Sequence, residues 1–310
     1  MKPPRSMNTI SGVGQNTISA ARVFPRVLRA SSGAALRSWP MTIGSSIIGL
    51  LVVAGWVGPS ILGSEAIQLG ASGFAEKASR EHFLGTDTFG RDIFVFVFHA
   101  IVPTLTIGVI AGGAATAAGV VLGVVSGYVR GPADTLIRTA ADIAITIPSL
   151  AVLIVIAAYV RTTSIEMMAL VVALFAWPWA TRVIRAQTLS LREKQFISVA
   201  RLSGYNGIEI ALKQILPNLL PYVMSAFAGT VNAGILAAVG LQVLGLGPVD
   251  TPSLGLMLDE SFRAGALIRG FWWWWLPPTL ILAFLFIGVF LLTVGLDEIA
   301  NPRLRTRVDR

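Results

Sequence analysis

The chain has 310 residues, of which 54% are hydrophobic and 13% charged, with no cysteine and a formal net charge of +8. A soluble domain of this length would carry a more charged surface, so length and apolar content together point to a membrane protein with several spans. Disulfides and thiolate metal sites are excluded, and His82 and His99, the only imidazoles, leave little from which to build a histidine metal cluster.

Residues 1–40 are polar and basic and read as an N-terminal tail. The first apolar run is too long, and its leader too extended, for a cleaved signal peptide. A bilayer core takes about 20 apolar residues of helix. Six runs qualify, at 41–63, 95–127, 137–160, 165–181, 219–246 and 276–296. The expected division is the tail 1–40, a first span 41–63, an external segment 64–94, a core of five spans over 95–300 with a long loop at 182–218, and a second tail 301–310. Eighteen of the 24 Lys and Arg fall on the side that holds both termini, the 128–138 turn and the 182–218 loop. Lys77, Arg80, Arg91, Arg161, Arg263 and Arg269 fall on the other. That bias places both termini in the cytoplasm. It also accounts for the basic charge as topology and attraction to anionic lipid, so no nucleic-acid surface is expected.

The 182–218 loop carries helical patterning that a bare solvated loop does not need. Ile197, Val199, Ala200 and Leu202 form an apolar patch among Arg192, Lys194 and Arg201, and Gly204 is placed to stop that helix. A second amphipathic stretch follows Tyr205-Asn206-Gly207, with Glu209 and Lys213 as a favourable i,i+4 pair. Leu216-Pro217 and Pro221 are expected to break it before the fifth span. A helix of this kind suits a surface that rests on a partner and passes rigid-body motion to the spans.

From Ser198 to Pro217 the loop resembles the Glu-Ala-Ala segment of binding-protein-dependent ABC importer permeases. Ser198, Val199 and Ala200 occupy its first three positions, Gly204 follows after three residues, and Gln214, Leu216 and Pro217 follow after nine more. Ser198 and Gln214 depart from the usual Glu and Ile. Three further stretches resemble the dipeptide/oligopeptide branch of C type: HFLGTDTFGRDIF from His82, GYVRGPADTLIRTAADIAITIPSL from Gly127, and LGLGPVDTPSLGLML from Leu244. The ending from Asp297 through Asn301-Pro302-Arg303-Leu304-Arg305 is similar too.

The resemblance implies an all-α type I importer permease with six spans in the bacterial inner membrane. It further implies pairing with a second, related permease, docking of two ATP-binding subunits, and delivery of solute by an external binding protein. It implies no covalent chemistry and no cofactor in this chain, with ATP and Mg on the partner subunits. Ala200, Arg201 and Gly204 would lie in the docking helix, Ala200 allowing close approach, Arg201 meeting an acid or carbonyl, and Gly204 ending it. The solute would be a di- or oligopeptide, or alternatively a short oligosaccharide. Typical peptide members carry a Glu where this chain has Ala238.

The four lysines follow Met1, Glu76, Glu193 and Leu212, so no Gly-Lys phosphate loop exists and ATP hydrolysis belongs to another chain. Asp134, Arg138 and Asp142 share a helix face at i, i+4, i+8; local pairing with Arg138 is expected, and a proton relay is the alternative. Asp142 is the obvious candidate for an ion-coupled secondary transporter, but no inverted repeat accompanies it. Asp87, Arg91 and Asp92 suggest a turn with an Asp cap and a paired Arg91, or a contact for solute or binding protein. Trp272, Trp273, Trp274 and Trp275 are expected as an interfacial anchor, with sugar stacking as the alternative. Gly108, Gly112, Gly113, Gly119 and Gly123 permit close helix packing, either within the chain or against a second permease.

Overall fold

The computed structural model describes residues 38–160 and 164–300. These residues form nine helices: α1 (Trp39–Leu62), α2 (Ile93–Val129), α3 (Pro132–Thr146), α4 (Ser149–Val160), α5 (Ile165–Arg192), α6 (Gln195–Leu202), α7 (Gly207–Val243), α8 (Leu254–Arg263) and α9 (Trp272–Ala300). The tail up to residue 37, Arg161, and the ending from Asn301 onward lie outside the described residues.

Five helices, α1, α2, α5, α7 and α9, are long and apolar enough to cross a membrane, and α3 with α4 makes a sixth span only as a broken pair bent by 81°. The 137–160 run is therefore not the straight helix expected. Pro148 has no N–H to donate and pushes the residue before it out of the helical region, and Ile147 takes extended values of φ −80° and ψ 127°. The expected break at Pro217 and Pro221 is also corrected. α7 runs unbroken through both prolines, and a π-helical segment at Ala211–Ile215 widens the turn just before Pro217. Such widening relieves the clash between a proline ring and the carbonyl four residues earlier.

Helix starts follow local chemistry. Asp92 caps α2 by accepting from Val95 N at 3.1 Å, Ser164 caps α5, and Ser253 caps α8. Asn206 and Glu209 form a reciprocal capping box at the start of α7.

α2 lies at the centre of the bundle. Its Gly108 and Gly112 meet Ile235 and Val231 of α7, and its Gly119, Gly123 and Gly127 meet Ala180, Ile184 and Thr188 of α5. A Cβ at Gly112 would lie 2.7 Å from Val231 N, and one at Gly123 would lie 2.8 Å from Ile184 Cβ. The glycines thus allow backbone-to-backbone approach within this chain. Gly113 is different, since its nearest neighbour would be Phe227 at 3.9 Å. Thr116 and Thr230 hydrogen-bond across the same seam at 2.8 Å. α1 packs along α9, where a Cβ at Gly44 would reach Gly288 O at 2.7 Å. Segments 63–92 and 244–271 gather at one end of the bundle as a cap, and α6 lies at the other.

Filling the seam should be costly in one place and cheap in another. Gly123→Val is expected to lose about 1–3 kcal/mol to overpacking and to lower the melting temperature of the purified protein. Gly113→Val should leave it nearly unchanged, and equal melting temperatures for the two variants would contradict the seam.

Candidate functional site

Three constellations carry the residues singled out from the sequence. The first is the cap. Asp87 is fully buried, and Arg91 is 7% exposed. Asp87 Oδ1 accepts from the backbone N–H groups of Phe89 and Arg91 at 2.7 and 2.9 Å, which closes the Asp87–Arg91 turn. Arg91 Nε donates to Asp87 Oδ2 at 2.6 Å, and Nη2 donates to Glu260 of α8. The guanidinium lies over the rings of Phe89 and Phe96 at 4.8 and 4.5 Å. Asp92, besides capping α2, meets His82 Nδ1 at 2.7 Å.

The capped turn and the paired Arg91 match the structural expectation for this motif. The partner Glu260 was not anticipated, although two acids at 259–260 inside an otherwise apolar amphipathic segment are the signal that could have revealed it. Burial opposes the charge on Arg91, but the hydrogen bond and charge of Glu260, and then Asp87, hold it more firmly protonated than usual. Burial pushes the Glu260 carboxyl up despite Arg91, and Asp87 and Asp259 add to the rise. One guanidinium is shared by two carboxylates, so Glu260 is not fully compensated.

The tryptophans belong mostly to this cap. Trp274 is fully buried and Trp273 is 4% exposed. Trp273 Nε1 reaches Thr86 O at 3.4 Å, and Trp274 sits edge-on to Phe89. Trp275 is half-buried, and only Trp272 is well exposed. The expected anchor of four interfacial rings is therefore corrected: Trp273 and Trp274 fill the cap core, because their rings cover the space beneath the Asp87–Arg91 turn. They are also closed to sugar stacking.

The second constellation is α6. Ile197 and Ala200 face inward and pack with Ile184 of α5 and with Ile210, Ile215 and Leu219 of α7. Ala200 is thus turned into the chain's own core, and the close approach that its small side chain allows is to α5 and α7. Ser198, Val199, Arg201 and Leu202 face outward, with Leu202 89% exposed. Gly204, with φ +84°, takes the left-handed conformation that ends the helix, donating its N–H to Arg201 O while Tyr205 N reaches back to Ala200 O. Leu216 and Pro217 are half-buried in the first turns of α7, and Glu209 and Lys213 pair at 3.0 Å beside them.

The third constellation joins α3 to α5. Asp134 accepts from Arg185 Nε and Nη2 at 2.6 and 2.8 Å and from Ser126. Asp142 accepts from Arg182 Nη2 at 2.8 Å. The expected pairing with Arg138 does not occur, and among the described residues Arg138 forms no ion pair. Two arginines three residues apart on α5 reach both acids first, because α3 crosses α5 there. Read as positive-side charges alone, Arg182 and Arg185 gave no hint of this role.

Residues 119–306 match the family described as binding-protein-dependent transport system inner membrane component. The chain is 30% identical over 268 residues to the dipeptide transport system permease protein DppC of Alkalihalophilus pseudofirmus, covering 84% of this chain and 86% of that one. It is 28% identical to the oligopeptide transport system permease protein OppC of Mycobacterium tuberculosis, covering 83% and 88%. It is 29% identical to the glutathione transport system permease protein GsiD of Pectobacterium atrosepticum, covering 74% and 76%. Among solved structures, an inward-facing MetNI methionine ABC transporter chain superposes with a TM-score of 0.52 at 18% identity, covering 67% of this chain and 95% of that one.

The cap should respond to pH through Glu260. Its folded carboxyl holds a proton more tightly than the unfolded one, so the folded state binds more protons above the ordinary value of 4.5. The stability gained there is complete below that pH and is lost as pH rises through the raised folded value. Hydrogen exchange in α8 should accordingly speed up as pH rises through that window, after correction for intrinsic rates. Glu260→Gln should flatten the response, and a wild-type response that rises in protection instead would refute the assignment.

Proposed function

The chain belongs to the binding-protein-dependent transport system inner membrane components, and we propose that it carries peptides, with the outward face of α6 as the surface on which an ATP-binding subunit docks. As a member of that family it is a permease subunit of an ABC importer, a multi-pass inner-membrane protein that is non-catalytic and works with an ATPase and a substrate-binding protein.

The observation that supports the docking surface is the division of α6 into two apolar faces. A surface helix needs one apolar face to hold it to its own protein. Here Ile197 and Ala200 provide that face, while Val199 and Leu202 are apolar and outward with none of the described residues covering them. Arg201, exposed between them, suits an acid or a carbonyl on the docked subunit. On this reading α6 lies in the cytoplasm with both termini, the cap lies outside, and ATP and its magnesium reside on two docked subunits. A second, related permease completes the pathway.

Peptide as solute is supported by the names of the relatives, which transport dipeptides, oligopeptides and glutathione. The oligosaccharide alternative drew on the tryptophan cluster and on Ala238 in place of the usual Glu, and burial of Trp273 and Trp274 in the cap removes the first of these for those two rings. Identification of the ligand retained by the cognate binding protein, followed by its uptake into proteoliposomes of the assembled transporter, tests the solute directly. A retained oligosaccharide would overturn the peptide reading.

The docking role has its own test. Gly204 has open space around it but a φ that a β-branched residue adopts only with strain. Gly204→Val should insert normally yet transport several-fold less solute per ATP hydrolysed, whereas Gly204→Asn, which tolerates the left-handed region, should stay near wild type. Native coupling in the valine variant would remove α6 from the mechanism.

A further inference from the structure

α3 presents a polar stripe that the other described helices leave uncovered. Asp134 is closed off by Arg185 and Ser126, but Arg138 and Thr139 are exposed. Asp142 and its partner Arg182 keep 45% and 54% of their side-chain surface open. Arg138, Thr139, Asp142, Ile143 and Thr146 line an open cavity of about 340 Å³. α3 reaches span length only together with α4, so this stripe lies along a membrane-crossing segment. Charged side chains there are costly against lipid and face a protein interior or a water-filled cavity.

The charges within the stripe do not balance. Asp134 is matched by Arg185 and Asp142 by Arg182, which leaves one positive charge in excess and, among the described residues, Arg138 without an ion pair. A planar fork of donors suits a carboxylate. A pathway that passes peptides of varied side chains can hold only what those peptides share, which is the backbone and its two charged ends. We propose that the α3 stripe is the wet wall of the solute pathway in the half of the membrane nearer α6, and that Arg138 meets the α-carboxylate of the passing peptide. Asp142, one turn away, repels the same carboxylate, so the contact is weak enough to release its cargo. This inference rests on the peptide reading above for the solute, but the wet wall stands without it.

The test uses the complete transporter in proteoliposomes, with binding protein at saturation. Because the chain has no native cysteine, Thr139→Cys should react with a charged, water-soluble thiol reagent at a rate within about tenfold of free cysteine in solution. An unreactive Thr139→Cys, buried by lipid or by a second permease, would overturn the wall. Uptake is then compared for a short peptide and its C-terminal amide. Arg138→Gln should lower uptake of the free acid at least fivefold and leave the amide at its wild-type rate, and Arg138→Lys should recover most of the loss. An equal fall for both peptides, or for neither, would overturn the carboxylate contact. If wild type carries neither peptide, the solute reading fails, while the cysteine result still decides for or against the wall.

Discussion

The close approach of α2 to α5 and α7 is the constraint on which the rest of the structure depends. Inside a bilayer, apolar side chains gain little by leaving lipid for protein, so helices associate through van der Waals contact and occasional hydrogen bonds. α2 meets this requirement by dividing its glycines between two neighbours. Gly108 and Gly112 admit α7, and about two to four turns later Gly119, Gly123 and Gly127 admit α5. The Thr116–Thr230 hydrogen bond pins the first contact in depth. With both helices held against one spine, their connection through α6 has fixed ends, and a surface element of only eight residues gains a defined position.

Charge is handled differently at the two ends. In the cap, Arg91 is buried among Asp87, Glu260 and two aromatic rings, and it staples the segment before α2 to α8 after α7. Removing one partner from such a cluster costs more than the pair contributes when complete, which makes the staple specific rather than merely strong. At the opposite end the ion pairs are more open to solvent. Asp134–Arg185 and Asp142–Arg182 hold α3 against α5 with partly exposed groups, and Arg130–Glu193 bridges the two turns beside α6. Ser225–Asp297 ties α7 to α9.

The spans and most local signals were legible in the sequence because each depends on neighbours within a turn or two. Hydropathy located the spans to within a few residues, apart from the longer reach of α5 and α7 toward α6 and the bend that divides the third span. Asp92 as a cap and Gly204 as a stop are likewise local events. What could not be read were choices settled by a distant partner. Asp134 and Asp142 had a cation at the right spacing in Arg138, and lost it to α5 through a crossing that no periodicity encodes. Four consecutive tryptophans look like one feature, yet a helix turns each by about 100° and divides them between solvent and core. The prolines show the same limit. Pro148 breaks its helix, while Pro217, just after a π turn that makes room for its ring, does not.

These contacts also define what a push on α6 would move. Its inner face is locked to Ile184 of α5 and to Ile210, Ile215 and Leu219 of α7, all fully or almost fully buried. Packed interiors transmit displacement instead of absorbing it. A displacement of α6 would therefore carry the adjoining ends of α5 and α7 together. The bidentate Asp134–Arg185 contact then draws α3 along with α5. α4 is not obliged to follow, because the Ile147–Pro148 break interrupts the backbone hydrogen bonds between the two halves of that span. The break thus leaves α3 tied to α5 while the other half of the span stays packed against α2, α5 and α7.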